Sequence, residues 1–227
     1  SFLSKVKVVY LALYNWWCAA GWCFVGSVIF KAVRDGKPPA AAYAESEFVL
    51  KSVQTLALLE VVHAAVGLVR SPWTTTLVQV LSRLLVVWCF LDRCHECEAS
   101  VGFLLCAGSW AAVEVPRYLF YAFNVLGGVP EALFFLRYTL FAVLYPTGIT
   151  GEIVTMLAGL PCIKALPANF NLGPVTPYHM ALFALATYVP GAPYMYLHMV
   201  KTRKSAFKKR REGAAVKAAP AASKKTQ

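Results

Sequence analysis

Several ionisable and phenolic side chains recur at helical spacing inside otherwise apolar stretches. Residues three, four or seven positions apart share one face of an α-helix, and most of these groups follow that spacing. The groups are Glu60 with His63, Gln79 and Ser82 with Arg83, Glu114 with Arg117, Tyr118 and Tyr121, Arg137 and Tyr138 with Tyr145, and finally Glu152. Carboxylates and phenols exchange protons with substrates. The pattern predicts either acid–base chemistry in a polar cavity or buried ion pairs that hold helices together.

Metal chemistry is disfavoured by the small number of ligands. Glu60 and His63 have the spacing of a di-iron ligand pair, but membrane iron enzymes need many histidines. This chain has four, scattered singly at positions 63, 95, 179 and 198. The run from Cys94 to Cys97 has CxxC spacing, yet no second pair completes a four-ligand zinc site. We therefore predict no metal or other cofactor, and at most one disulfide among the seven cysteines.

A phosphatase loop is present in outline only. The run from His63 to Ser71 reads HAAVGLVRS, which matches the His-Cys-x5-Arg-Ser/Thr loop of cysteine phosphatases except at one position. Ala64 stands where the nucleophilic cysteine belongs. Without a thiolate no phospho-enzyme forms, so phosphatase activity is excluded.

The composition is that of a membrane protein. Hydrophobic residues make up 59% of the 227 residues and charged residues 15%, against about 25% in ordinary soluble domains. The mean hydropathy is +0.57. A soluble protein of this size would not cover its surface with so few charges.

Six apolar segments approach the roughly 20 residues that a spanning helix requires. They cover 8–30, 48–69, 73–91, 101–124, 130–145 and 178–200. The fifth is short and is followed by Pro146, so we expect the helix to end there and the piece 153–163 to be interfacial or re-entrant. The predicted fold is an all-α bundle of six transmembrane helices over 1–200 with a polar interior cavity.

Basic residues concentrate after the last apolar segment. Residues 201–227 contain ten Lys or Arg and one acidic residue, whereas the rest of the chain has twelve basic and ten acidic residues. This distribution favours a disordered cytosolic tail over a nucleic-acid surface, and no nucleic-acid partner is predicted. The ending KKTQ resembles the dilysine signal of endoplasmic-reticulum membrane proteins. With the loop charges, it predicts that reticulum as the location and a cytosolic position for both termini.

Ordered motifs across the chain resemble one family of membrane enzymes. The motifs are YNxxxxxGW at 14–22, LExxHxxxGLVRS at 59–71, QVxSR at 79–83, WxxxExxRY at 110–118, RYTLFAVLYPTGITGE at 137–152 and YVPGAPYMY at 188–196. Over about residues 6–205 the chain resembles the protein-tyrosine-phosphatase-like (3R)-3-hydroxyacyl-CoA dehydratases, especially their plant Pasticcino-type members. That resemblance implies removal of water from (3R)-3-hydroxyacyl-CoA to give trans-2-enoyl-CoA, the third step of very-long-chain fatty-acid elongation.

The resemblance also implies that Tyr145 and Glu152 are the catalytic pair. Dehydration needs a base for the α-proton and an acid for the departing hydroxyl, and a carboxylate and a phenol supply both without a metal. We favour Glu152 as base and Tyr145 as acid, with the reverse assignment still open. Pro146 and the glycines after it predict a turn that lets both side chains reach the same pair of substrate carbons.

The remaining polar residues are expected to bind substrate. They are Arg70, Arg83, Arg117, Tyr118, Arg137, Tyr138, Glu60, His63 and Glu114. We expect Arg70, Arg117 and Arg137 near the CoA phosphates, with the pantetheine arm extending to Tyr145. The resemblance implies three elongation partners: the condensing enzyme, the ketoacyl-CoA reductase and the enoyl-CoA reductase. The alternative is an inactive membrane scaffold of those enzymes, or a pseudo-phosphatase that binds phosphoproteins.

Overall fold

The computed structural model describes residues 2–69, 71–167, 170 and 172–218, and these residues are almost entirely helical. The helices are α1 (Phe2–Arg34), α2 (Pro39–Leu56), α3 (Leu58–Ala65), α4 (Trp73–Leu84), a π-helical segment (Leu85–Leu91), α5 (His95–Glu98), α6 (Val101–Val125), α7 (Glu131–Thr139), α8 (Phe141–Lys164) and α9 (Pro177–Ala218).

Four helical stretches of the described residues are long and apolar enough to cross a membrane. They are Ser4–Arg34, Pro39–Ala65, Trp73–Leu91 and Phe141–Lys164. Large apolar side chains cover their outer faces; Trp17 is 71% exposed and Phe48 82%. Such surfaces are costly in water and suited to lipid. The prediction of an all-α membrane protein is confirmed at this level, and the count of six spans stays a prediction.

Helix α8 shows that the expected break after Tyr145 was wrong. The helix runs without interruption through Pro146 and Pro161, and only Leu140 separates it from α7. Proline is tolerated in membrane helices where nearby hydroxyl groups satisfy the backbone carbonyls. In the turn before Pro146, the hydroxyl of Thr147 donates to the carbonyl of Val143 at 3.2 Å.

The same helix corrects the expectation for residues 153–163. They form the second half of α8 and pack against α6 and the π-helical segment, so they are neither interfacial nor re-entrant. The candidate span at this place is Phe141–Lys164, so Tyr145 lies in its second turn, near the end that adjoins α7, and no break follows it.

The predicted disorder of the basic tail is also wrong for 201–218, because α9 continues through these residues. Alanine, lysine and arginine are strong helix formers, and a pair one turn apart, Lys208 and Glu212, lies 3.9 Å apart. The KKTQ ending lies outside the described residues.

Helix α6 lies at the centre of the bundle, against α1 on one side and α8 on the other. Five large side chains from α1, α2, the π-helical segment, α6 and α8 are less than 2% exposed and form the core between these elements. They are Trp22, Leu50, Phe90, Phe103 and Met156.

Helices α6 and α8 approach each other through glycines. A Cβ on Gly102 would lie 2.6 Å from the backbone nitrogen of Thr155, and one on Gly151 would lie 2.4 Å from that of Cys106. Small residues permit such close approach in membrane helices. Because the atoms in contact belong to the backbone, the position of α8 on α6 has little freedom to adjust.

Substituting Gly102 with alanine is expected to destabilise the protein by about 1–3 kcal/mol, because the added methyl group pushes the two helix backbones apart. A Cβ on Gly191 in α9 would have no atom of the described residues within 4 Å, apart from its chain neighbours and its own helix backbone, so Gly191→Ala is the matched control. Thermal unfolding of the detergent-solubilised variants measures the difference. Equal stability of the two would contradict the close packing described above.

One disulfide joins the loop after the π-helical segment to the end of α8. It links Cys94 with Cys162, so the sequence-based limit of one disulfide holds for the described residues. The sulfur atoms of this pair and a carboxylate oxygen of Glu96 lie within 4.8 Å of one another, but the sulfurs are bonded to each other.

Candidate active site

The side chain of Glu152 is buried where three helices meet. It lies on α8, is 9% exposed, and accepts a hydrogen bond on each carboxyl oxygen. The indole Nε1 of Trp110 on α6 donates to Oε1 at 2.8 Å. The hydroxyl of Tyr188 on α9 donates to Oε2 at 2.6 Å. These two donors fix the carboxyl group in one orientation.

The side chain of Tyr145 lies two helical turns before Glu152. Seven residues of α-helix advance by about 10 Å and return to nearly the same face, so both side chains are on the face of α8 that meets α9. The expected turn between them is absent.

An open cleft of about 340 Å³ borders Tyr145. Residues of α8 and α9 form its walls, and most of them are apolar. They are Tyr145, Pro146, Ile149, Thr150, Ala192, Pro193 and Tyr196. The ring of Tyr196 lies 6.3 Å from that of Tyr145. The cleft is large enough for the reacting end of a thioester and apolar enough for an acyl chain.

A second polar cluster connects α3, α4 and α6 beside this site. The guanidinium of Arg117 donates to both oxygens of Glu60 at 2.7 and 2.9 Å and to Glu114 at 2.5 Å. Arg83 pairs with the other oxygen of Glu114, and the hydroxyl of Tyr118 donates to Glu60. Two carboxylates and two guanidinium groups thus neutralise each other, which confirms buried ion pairs as one role of these residues.

The two groups of polar residues meet at Trp110. The guanidinium carbon of Arg83 lies 5.7 Å from the Trp110 ring centroid, within the range of a cation–π contact. The same indole donates to Glu152. The ion-pair cluster therefore supports the wall that holds the Glu152 carboxyl group.

The other predicted site residues have local partners. His63 is buried, and its Nε2 lies 2.8 Å from the hydroxyl of Tyr10. Arg137 donates to the hydroxyl of Tyr121 at 3.2 Å, and its guanidinium carbon lies 5.6 Å from the ring centroid of Tyr138.

The structure describes the predicted neighbours Glu60 and His63 but not Arg70. His63 and Glu60 share a helix face but turn to different partners, Tyr10 and Arg117, so they do not act as a pair. Arg70 lies outside the described residues, and its expected place near the CoA phosphates stays a prediction.

Sequence reasoning missed Trp110 and Tyr188 as partners of Glu152. Trp110 lies one turn before Glu114 in α6, and that spacing already placed it on the polar face of the helix. Tyr188 begins the YVPGAPYMY motif, but its bond to Glu152 spans 36 residues. Only the antiparallel packing of α9 on α8 brings the two together.

Three relatives cover nearly the whole chain. The very-long-chain (3R)-3-hydroxyacyl-CoA dehydratase hpo-8 of Caenorhabditis elegans is 39% identical over 203 residues, 86% of this chain and 93% of the relative. The very-long-chain (3R)-3-hydroxyacyl-CoA dehydratase PASTICCINO 2 of Arabidopsis thaliana is 38% identical over 218 residues, 92% of this chain and 97% of the relative. The very-long-chain (3R)-3-hydroxyacyl-CoA dehydratase 2 of Mus musculus is 34% identical over 209 residues, 88% of this chain and 82% of the relative.

No solved structure matches the chain significantly. The family described as protein tyrosine phosphatase-like protein, PTPLA, matches residues 54–209. This range contains Tyr145, Glu152, Tyr188 and the ion-pair cluster. Given a match over most of the chain and relatives of this similarity, the chain belongs to the PTPLA family.

Proposed function

We propose that this protein removes water from very-long-chain (3R)-3-hydroxyacyl-CoA to give trans-2-enoyl-CoA, the third step of fatty-acid elongation. The relatives named above carry this activity in their names. The observation that carries the proposal within the structure is the buried Glu152 carboxyl group, held by two donors on the same helix face as a phenol that lines an open cleft.

The proposed reaction uses Glu152 as the base. As a carboxylate it keeps lone pairs beyond the two that accept from Trp110 and Tyr188, and one of them takes the C2 proton. The C2–H electron pair forms the C2–C3 double bond as the C3–O bond breaks. Tyr145 gives its proton to the departing hydroxyl, which leaves as water.

Each turnover leaves a proton on Glu152 and a phenolate on Tyr145, and both must return to their starting forms. The Tyr188 hydroxyl donates to Glu152 at 2.6 Å and lies on α9, the helix whose residues face Tyr145 across the cleft. We assign it as a relay that carries the proton from the acid back to the phenolate. No metal or cofactor takes part in this scheme.

The test of this function is turnover by the purified chain in neutral detergent. With (3R)-3-hydroxyacyl-CoA of long chain length we expect trans-2-enoyl-CoA, identified by mass spectrometry, and much less product from the (3S) substrate. A monodisperse, folded protein without turnover of either substrate would refute the proposal.

Replacing Tyr188 with phenylalanine is expected to lower kcat by roughly tenfold, because one of the two hydrogen bonds to Glu152 and the relay are lost, an effect of about 1–1.5 kcal/mol. Tyr194 on the same helix is 71% exposed, so Tyr194→Phe is the control. Steady-state kinetics compares both with the parent. An unchanged kcat in Tyr188→Phe would exclude a role for this phenol in turnover.

We propose six membrane spans with both termini in the cytosol, which adds α6 and α9 to the four apolar stretches. Disulfides persist in oxidising compartments and are rare in the cytosol. The disulfide between Cys94 and Cys162 therefore supports a lumenal position for both of its ends, as the charge distribution predicts. With Lys164 on the lumenal side, Tyr145 lies inside the membrane towards the cytosolic half.

The location and partners follow from this function. We propose the endoplasmic-reticulum membrane, whose oxidising lumen is a compartment in which the disulfide between Cys94 and Cys162 would persist. We also propose association with the condensing enzyme, the ketoacyl-CoA reductase and the enoyl-CoA reductase, because the substrate is the product of one reductase and the product is the substrate of the other.

A further inference from the structure

One face of α7 and α8 lies along one face of α9 for the length of four turns. Phe134, Tyr138, Phe141 and Tyr145 repeat at intervals of four and three residues. On the opposite helix, Tyr196, Arg203, Phe207 and Arg210 repeat at intervals of seven, four and three, so each set shares a helix face. The rings of Phe134 and Phe207 lie 5.1 Å apart, and those of Phe141 and Tyr196 lie 5.7 Å apart. We call this contact the α8–α9 seam.

Each end of the α8–α9 seam opens into a cleft. The first is the cleft at Tyr145 described above. The second has a volume of about 270 Å³, and aromatic and basic side chains line it. Its lining residues are Glu131, Phe134, Phe135, Phe207, Arg210 and Arg211. It lies at the end of the seam farther from the disulfide, which is the cytosolic end in the proposed topology.

The second cleft carries positive charge that is only partly compensated. Arg210 donates to Glu131 at 2.8 Å, whereas Arg211 has no ion-pair partner within the described part of the chain. Arg203 lies two turns before Arg210 on the seam and contacts the ring of Phe207 at 4.9 Å, but its buried Nε has no hydrogen-bond partner among the described residues. An anion at this cleft would satisfy groups that the protein leaves unpaired.

The length of the seam fits coenzyme A. From Tyr145 back to Glu131 the helices advance 14 residues, about 21 Å. Fifteen bonds separate the pyrophosphate of an acyl-CoA from its C3 atom, about 17 Å if extended like a peptide chain. The seam is thus a few ångströms longer than the extended arm, and the lengths of an arginine side chain at one end and a tyrosine side chain at the other make up this gap.

We propose that the second cleft binds the nucleotide end of acyl-CoA, and that the pantetheine arm follows the α8–α9 seam to Tyr145. This inference rests on the proposed function and specifies its substrate site. Arg203 and Arg211 hold the phosphates, and the ring of Phe135, which is 50% exposed, provides a stacking surface for the adenine. In this arrangement Arg203 and Arg211 bind the phosphates in place of Arg117, the residue expected from the sequence. Arg117 already donates to both oxygens of Glu60.

The test compares Arg211→Gln with Lys209→Gln in the full chain in neutral detergent. Lys209 carries the same charge two residues earlier, is exposed, and points away from the seam by its helical position. The substrates are a 3-hydroxyacyl-CoA and the same acyl group as its N-acetylcysteamine thioester, which has no phosphates. Binding of free CoA is measured in parallel by calorimetry.

For Arg211→Gln we expect a rise in KM for the CoA substrate of about tenfold, the size of one lost charge-assisted hydrogen bond, with CoA binding weakened equally. The KM for the N-acetylcysteamine thioester and the Lys209→Gln kinetics should stay at parent values. Arg203→Gln should repeat the Arg211→Gln result, and Arg203→Lys should partly restore it.

Three outcomes would overturn the inference. The first is unchanged CoA affinity in Arg211→Gln and Arg203→Gln. The second is an equal loss in Lys209→Gln, which would indicate a diffuse field instead of a site. The third is unchanged CoA affinity with weaker binding to vesicles of anionic phospholipid, which would make the cluster a lipid-headgroup site. Failure of the proposed function differs from all three, since it shows as absent turnover while CoA binding is measured directly.

Discussion

Glutamine at position 152 is expected to lower kcat by about 10²–10⁴-fold, the usual contribution of a positioned general base, while the protein stays folded. The amide has the shape of the carboxyl group and keeps an oxygen that accepts from Trp110. It does not accept the C2 proton. Enoyl-CoA formation by the purified variant measures the loss. Glu45 is exposed, so Glu45→Gln is the control and should turn over like the parent.

Tyr145→Phe is expected to lose a similar factor, and the two variants together separate acid from base. In a substrate that carries fluorine in place of the C3 hydroxyl, the leaving group is fluoride, which needs no proton for its departure. Tyr145→Phe should therefore recover activity on the 3-fluoroacyl-CoA, whereas Glu152→Gln should not. Recovery in Glu152→Gln alone would reverse the assignment, and near-parent turnover of the natural substrate by both variants would remove the pair from the mechanism.

Replacing Arg117 with methionine is expected to destabilise the protein by about 3–5 kcal/mol, the largest effect on stability among these variants. Arg117 is the shared partner of Glu60 and Glu114, and Glu114 is 2% exposed. Removing one member of a buried ion pair leaves an uncompensated charge. Arg83→Met should cost less, because Glu114 then keeps Arg117. Thermal unfolding in detergent ranks the two variants.

The double variant Arg117→Met with Glu60→Gln tests the origin of that loss. Glu114 keeps its ion pair with Arg83, so Glu60 is the carboxylate that Arg117→Met leaves without a guanidinium partner. Neutralising Glu60 removes that charge, and the double variant should therefore be more stable than Arg117→Met alone. The double-mutant cycle then yields a coupling energy between Arg117 and Glu60. Additive losses would mean that the two side chains contribute through packing and not through their charges.

The spacing of residues along the sequence predicted side-chain contacts within one helix, but it did not predict contacts between two helices. The three-residue interval from Glu114 to Arg117 predicted a shared face, and the pair is bonded at 2.5 Å. The bond between Arg117 and Glu60 spans 57 residues, and nothing in either motif selects this partner over Arg137. The composition predicted the membrane helices for a simpler reason: lipid demands a long apolar run, which is visible in any window of sequence.

The error at Pro146 has a different cause. The rule that proline ends a helix describes chains in water, where an unpaired carbonyl finds a solvent partner and the helix has no need to continue. In a membrane a continuous helix satisfies the backbone at the lowest free energy, so Pro146 and Pro161 are retained inside it. This continuity places Tyr145 inside the candidate span Phe141–Lys164 and not at a turn that ends a span.

The cleft at Tyr145 is open on its outer side, and Pro146, Thr150 and Pro193 on its walls are exposed. In the proposed topology this opening lies within the bilayer and faces hydrocarbon. We propose that the acyl chain of the substrate enters there and extends into the lipid, because the described residues form no wall at the outer end of the cleft. A closed pocket limits the length of chain that it admits. A cleft that holds only the first few carbons and leaves the rest to the membrane imposes no such limit.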